Sequence, residues 1–462
     1  MQLDEFIETL GDGERERRRK LAEEKSYAIT EHLEDVEQSM DETLQGDALF
    51  GSTAPSVFVG RSSYPDVSAG VLAPVSEPDR AAAFETGPHW YERGYTIDDV
   101  FQSRTNLLNS SRRTNVNVAD EWDGFTGVQR EVAIADRPVD VEVGLDGRPE
   151  VDMDISFADI STPTGPRATA EYADLAENPH VPKPVEYTLS DDDWKAEGAI
   201  TYLYNRGLDV YDIENVLSAG ALGEAQNRKL VPTRWSITAV DDTICGFLRG
   251  QLYNRPSIDK TEVWYNEYLG NQFWVVLAPG DFEYELVELK APGSVWNPSG
   301  RGYYIASDYE GFEGRTEYVE ETAGAYFAAK LGALEQLADR GRQAKVLVVR
   351  HVTPDYWGPA GVWQVRETVR NAFEEGDPGE AETLHDAVRE LLARWPVDLD
   401  TLRRNSELVA GVQSSLANYG SSDREPLLCC VEIRPRFFDQ LARVADDSRH
   451  RLVVGGHPRQ PR

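Results

Sequence analysis

The densest chemistry in the sequence lies in one run, Pro232-Thr233-Arg234-Trp235-Ser236-Ile237-Thr238-Ala239-Val240-Asp241-Asp242-Thr243. Two adjacent carboxylates are hard oxygen ligands. Asp241 and Asp242 could hold Mg²⁺ or Mn²⁺, as sites that cleave phosphodiesters do. A carboxylate opening a helix could equally cap it, because its oxygen accepts a free backbone N–H there. Arg234 and Trp235 pair a guanidinium that can grip phosphate with a ring on which a base can stack. The competing reading is a buried indole with its arginine in an ion pair. Arg366 and Arg370 stand four residues apart and so share one helix face, where they could hold phosphates or pair with Glu367 or Glu374. Arg61 ends the run Ser56-Val57-Phe58-Val59-Gly60-Arg61, in which Gly60 permits close approach of a ligand to the backbone. Gln413, Leu416 and Tyr419 follow at intervals of three. One tight helical turn would set Leu416 and Tyr419 into one pocket with Gln413 at its rim, the form of a peptide that docks on a sliding clamp. Gly420 stands where such peptides usually carry a second aromatic.

These residues need elements to position them. Apolar residues at helical spacing from Leu21 to Met40 predict a long N-terminal helix over about 13–45. The basic run at Glu14–Lys20 reads as a solvated face of that helix or as an arm touching phosphate. Ser56–Arg61 and Val67–Val75 read as strands, and 97–108 and 127–135 as helices. Val139–Val143 and Val151–Ile155 alternate about the turn Asp146-Gly147, which predicts a β-hairpin. Residues 160–190 read as irregular, two short helices fall within 191–217, and 233–250 reads as a strand followed by a helix. Residues 262–290 predict an antiparallel meander, 319–341 an amphipathic helix, and Val346-Leu347-Val348-Val349 a buried strand. Helices are expected over 361–374, 379–394 and 401–412. The fold class expected is α+β, a mixed or antiparallel sheet core with peripheral helices. The organisation expected is an arm over 1–48, a core over 49–395 with a possible split near 160–190, a segment over 396–420 carrying the clamp-docking peptide, and an extension over 421–462.

Composition bounds the function. Among 462 residues, 81 are acidic and 47 basic, a net charge of −34, and arginine far outnumbers lysine. Such a surface repels itself in dilute buffer and is screened in strong salt, which suits a halophile's cytoplasm. The acidity is then background, and a nucleic-acid face would be a local arginine patch. The aromatic content, 10 Trp, 20 Tyr and 15 Phe, supplies a real core. No apolar run is long enough to span a membrane, and no secretory signal pattern opens the chain. Three cysteines, Cys245, Cys429 and Cys430, cannot supply a four-cysteine zinc site. No zinc is therefore expected. A dinucleotide glycine motif, a Walker lysine and a nucleophile elbow are missing too.

Several segments together resemble one family, the archaeal Nre DNA-repair proteins. They are Ser56–Arg61 with Tyr64-Pro65, residues 232–244, Ser294-Val295-Trp296-Asn297, Ala325-Tyr326, Arg342–Leu347 and Gly361–Glu367. The resemblance runs from about residue 45 to 420. It implies a DNA-repair factor that works with the sliding clamp PCNA through a C-terminal peptide, here Gln413, Leu416 and Tyr419. Two departures stand out. The N-terminal cysteine zinc finger of many relatives is absent, and about 40 residues follow the peptide.

The first reading is therefore a cytoplasmic repair protein acting on damaged or branched DNA. It is recruited by the clamp and could cut DNA as a metal-dependent nuclease, with Asp241 and Asp242 on Mg²⁺ or Mn²⁺ and Arg61, Arg234, Trp235, Arg366 and Arg370 on DNA. The second is a non-catalytic repair adaptor, and the third an unrelated halophilic metabolic enzyme. A cleft where the aspartates and arginines converge favours cutting; aspartates committed to the core favour the adaptor.

Overall fold

The computed structural model describes residues 34–38, 40, 48–119, 121–150, 165–297, 300–374 and 378–411. Most of the expected helix over 13–45 lies outside them. Within it, 34–38 is helical, and Val36 and Met40 are buried. The fold is α+β, built on two six-stranded mixed sheets.

The first sheet has the order β1 (Ala48–Thr53), β5 (Val139–Leu145), β6 (Arg167–Leu175), β4 (Leu107–Asn115), β3 (Asp66–Pro74), β2 (Val57–Val59). Its pairs are antiparallel except β4 with β6. Valines on alternate positions of β5, Val139, Val141 and Val143, point into a core that includes Phe125 and Val132 of helix α2 (Gly124–Ala133). The predicted hairpin is corrected here. The two edges of β5 are taken by β1 and β6, so its antiparallel partner after the turn is Arg167–Leu175, while the expected second strand, Val151–Ile155, lies outside the described residues. The stretch expected to be irregular thus supplies a central strand.

The second sheet has the order β10 (Tyr304–Glu310), β9 (Glu283–Lys290), β11 (Lys345–Val352), β8 (Asn271–Ala278), β7 (Thr261–Tyr268), β12 (Gly379–Ala381). Strand β11 lies parallel to β9 and antiparallel to β8. The meander is thus split: β7 and β8 form a hairpin, but β11 enters between β8 and β9. The unbroken apolar run of β11 follows from that place. Val346 and Val348 face the main core, while Leu347 and Val349 face the C-terminal helices, with Ala387, Leu391, Leu402 and Leu408. Each fully buried side chain of this kind contributes roughly 1.5–3 kcal/mol.

Six helices matter for the site: α1 (Ile97–Thr105), α2, α3 (Val210–Ser218), α4 (Thr233–Leu252), α5 (Ala323–Arg340) and α6 (Trp363–Glu374). Helix α4 corrects the strand expected at its start, for all twenty residues are helical. The β-branched run Thr233, Ile237, Thr238 and Val240 suggests a strand, but α4 is packed against other helices and tertiary burial overrides propensity. Thr233 ties strand β2 of the first sheet to the start of α4. Its Oγ1 accepts the Val59 N–H at 2.9 Å and donates to the Val57 carbonyl at 3.3 Å.

Candidate nucleic-acid interface

Arg61 follows strand β2, and Arg234 is the second residue of α4. Both are exposed. The Thr233 bonds to β2 bring them together. Burial and then the nearby Arg61 charge lower the Arg234 guanidinium below its usual value, opposed by the Tyr318 phenol. Among the described residues neither arginine makes an ion pair or a side-chain hydrogen bond. With 81 acidic residues in the chain, two neighbouring cations stand without a carboxylate between them, an arrangement that attracts an anion.

Beside them lies an aromatic pair. The Tyr64 and Trp235 ring centroids are 5.4 Å apart at an interplanar angle of 49°. Trp235 is only 8% exposed and belongs to the main core, whereas Tyr64 is half-buried and forms the outer layer. The indole thus packs, and the ring nearer solvent is Tyr64.

Behind this surface is a buried ionic network. Asp241 is the ninth residue of α4 and 1% exposed. It cannot cap a helix that begins eight residues earlier, which corrects the capping expectation. Arg366, 0% exposed, donates through Nη2 to Asp241 Oδ1 at 2.7 Å and to Glu214 Oε1 of α3 at 2.6 Å. Arg370 donates to Glu335 at 2.7 and 2.8 Å and to Glu367 at 3.0 Å. Tyr211 and Tyr204 donate to Glu367 and Glu335 in turn. Burial pushes Glu214 up to about 8 and raises Asp241, and Arg366 opposes both. The two arginines left open between phosphate and carboxylate are committed to carboxylates.

Asp242 sits about 100° further round the helix. Burial raises its carboxyl, and Lys330 opposes that most. Lys330 itself bonds Glu310 at 2.7 Å. The two aspartates thus serve different clusters. Among the described residues no group of three or more His, Cys, Asp or Glu could hold a metal ion. The structure brings Arg61 and Arg234 together at the surface with Trp235 packed beneath them, and Arg366 and Arg370 with Asp241 in the interior. Gln413, Leu416 and Tyr419 lie outside the described residues. Sequence reasoning does not single out Tyr64, Arg104, Glu214, Tyr318 or Glu335 as separate site residues. Tyr64 was within reach, because it sits beside Arg61 in a segment already marked. The others carry no local signal.

Comparison with known proteins agrees with these segments. The family description "Archaeal Nre, N-terminal" matches residues 21–297, and "Archaeal Nre, C-terminal" matches residues 310–419. The chain is 61% identical to the DNA repair protein NreA of Haloferax volcanii, over 91% of this chain and 100% of that one. It is 38% identical to the DNA repair protein NreA of Archaeoglobus fulgidus, over 72% of this chain and 82% of the relative. It is 36% identical to NreB of the same organism, over 74% and 84%. No solved structure matches.

Proposed function

The chain belongs to the archaeal Nre family, and from that premise we propose that it is a DNA repair protein that binds damaged or branched DNA at the Arg61–Arg234 surface. The observation that carries this is the arginine pair left, among the described residues, without a carboxylate partner in a protein of net charge −34. Guanidinium groups so placed neutralise phosphates, and Tyr64 over Trp235 offers an aromatic face to an unpaired base. Recruitment by the PCNA clamp goes through Gln413, Leu416 and Tyr419. The protein acts as a binding adaptor at this surface. Cutting would need Mg²⁺ or Mn²⁺ on Asp241 and Asp242, yet the first is bonded to Arg366 in the interior and the second faces Lys330. The compartment is the cytoplasm of a halophile, in keeping with the acidic, arginine-preferring composition.

The test uses labelled single-stranded, duplex and branched DNA in molar KCl with Mg²⁺ or Mn²⁺. Tight binding without strand cleavage, weakened by Arg61→Gln with Arg234→Gln, supports the adaptor. Metal-dependent cleavage that Asp241→Asn with Asp242→Asn abolishes, while the protein remains folded, would replace it with a nuclease. Leu416→Ala with Tyr419→Ala should abolish clamp binding and leave DNA binding intact.

A further inference from the structure

A third arginine stands without a counter-ion among the described residues, this time partly covered by the fold. Arg104 lies on the last turn of α1. Among the described residues its guanidinium makes no hydrogen bond and no ion pair. Its neighbours are the face of Trp90, with Cζ 5.7 Å from the ring centroid, and the Tyr356 phenol. Burial lowers it to about 10, opposed by Tyr356, so the charge persists at neutral pH, and the side chain keeps some solvent access. An enclosed charge without a partner is unfavourable, and among the described residues no carboxylate is placed to relieve it.

The guanidinium abuts the start of α6. Gly361 has φ +100°, and a Cβ there would lie 3.0 Å from Arg104 Nη2. The backbone N–H groups of Val362, Trp363 and Gln364 have no partner among the described residues. They are the first amides of a twelve-residue helix and carry the positive end of its dipole. Gln364, on the same turn and 1% exposed, leaves both side-chain amide atoms unpartnered. A largely enclosed cation and open helix amides thus meet at one glycine, with an unsatisfied carboxamide on the same helical turn, a donor set that suits phosphate.

We propose that Arg104 and the N-terminal turn of α6 form a binding site for a phosphate group. A chain of neighbours links it to the surface arginines. A Cβ on Gly324 would meet Val362 at 3.0 Å and Thr238 at 3.9 Å, Thr238 hydrogen-bonds Tyr318, and Tyr318 faces Arg234. The inference deepens the DNA-binding reading and rests on it only for which molecule carries the phosphate. That molecule is a nucleic-acid strand or free phosphate.

The test is isothermal titration of the full chain at constant KCl with three probes: inorganic phosphate, a single-stranded oligonucleotide with a 5′-phosphate, and the same oligonucleotide with a 5′-hydroxyl. Wild type should bind inorganic phosphate saturably. Arg104→Met should weaken that binding by about tenfold or more, the effect of losing one charge-assisted contact. Arg61→Gln with Arg234→Gln should leave it unchanged. An advantage of the 5′-phosphate strand over the 5′-hydroxyl strand, lost in Arg104→Met, assigns the phosphate to a strand end. Phosphate binding with no such advantage assigns it to free phosphate. Failure of both oligonucleotides while phosphate still binds removes the DNA reading and leaves this site standing. The proposal is overturned if wild type shows neither saturable phosphate binding nor a 5′-phosphate preference. It is also overturned if folded Arg104→Met binds as wild type does. Should Arg104→Met unfold, the wild-type titrations decide alone.

Discussion

A single nitrogen of Arg366 serves Asp241: Nη2 lies 2.7 Å from Asp241 Oδ1, and the same atom reaches Glu214 Oε1 at 2.6 Å. Three helices, α3, α4 and α6, meet at that atom. Two buried carboxyls crowd one nitrogen, and burial raises both, Glu214 to about 8, with Arg366 opposing the rise.

Removing the cation should therefore be costly. Arg366→Met is expected to destabilise the fold by about 3–5 kcal/mol, because it leaves buried carboxyls without their partner. Asp241→Asn keeps an acceptor for Nη2 and should cost about 1–3 kcal/mol. Denaturant unfolding in molar KCl measures both. A loss below about 1 kcal/mol for Arg366→Met would show that the cluster does not hold the helices.

The surface arginines should behave in the opposite way. Arg61→Gln with Arg234→Gln removes like charges that have no acidic partner, so the melting temperature should stay level or rise slightly. DNA affinity should fall, and the slope of log affinity against log salt should shrink by roughly 1–2. A large drop in stability would mean that both are structural.

The aromatic pair separates packing from contact. Trp235→Ala is expected to cost about 3–5 kcal/mol of stability. Tyr64→Ala, at a half-buried position, should cost less and weaken DNA binding by about 1–3 kcal/mol, the range for one stacked base. Anisotropy titrations beside melting curves distinguish the two; equal DNA affinity for wild type and Tyr64→Ala refutes the stacking role.

Stability should fall as pH rises. Burial raises Glu85 and Glu285 to about 7 and Glu214 to about 8, from the ordinary carboxylate value near 4.5. Between about 4.5 and 8 the folded state therefore holds protons that the unfolded state has released, and each such group removes up to about 1.4 kcal/mol per pH unit. The loss levels off above pH 8. Melting curves at pH 5, 6.5 and 8 check the sign. Glu85→Gln, which accepts from Ser56 and Asn215 in either form, should flatten the dependence.

Much of the architecture is legible in local pattern. The run Val346–Val349 reads as a buried strand and is one, and Ala323–Arg340 is the expected helix. What local pattern misses is pairing at a distance. Nothing near residues 271–290 announces that β11 will enter between β8 and β9. The β-branched start of α4 suggests a strand until the helices around it are known. The site divides in the same way. Arg61, Arg234 and Trp235 are marked by residue type and do meet. The fate of Asp241 depends on Arg366, 125 residues away, and no spacing rule reaches that far.

Thr233 has a consequence for how binding energy is used. Its hydroxyl fastens Val57 and Val59 to the start of α4, and Arg61 and Arg234 lie two residues and one residue beyond those bonds. The guanidiniums come from distant parts of the chain and repel each other, yet they are assembled before any ligand arrives. The entropy of bringing the two backbone segments together is incurred during folding, so an arriving polyanion does not have to gather them. It relieves a strain already present. The interface is thus preorganised, and Thr233→Val should slow or weaken recognition without removing a single charge.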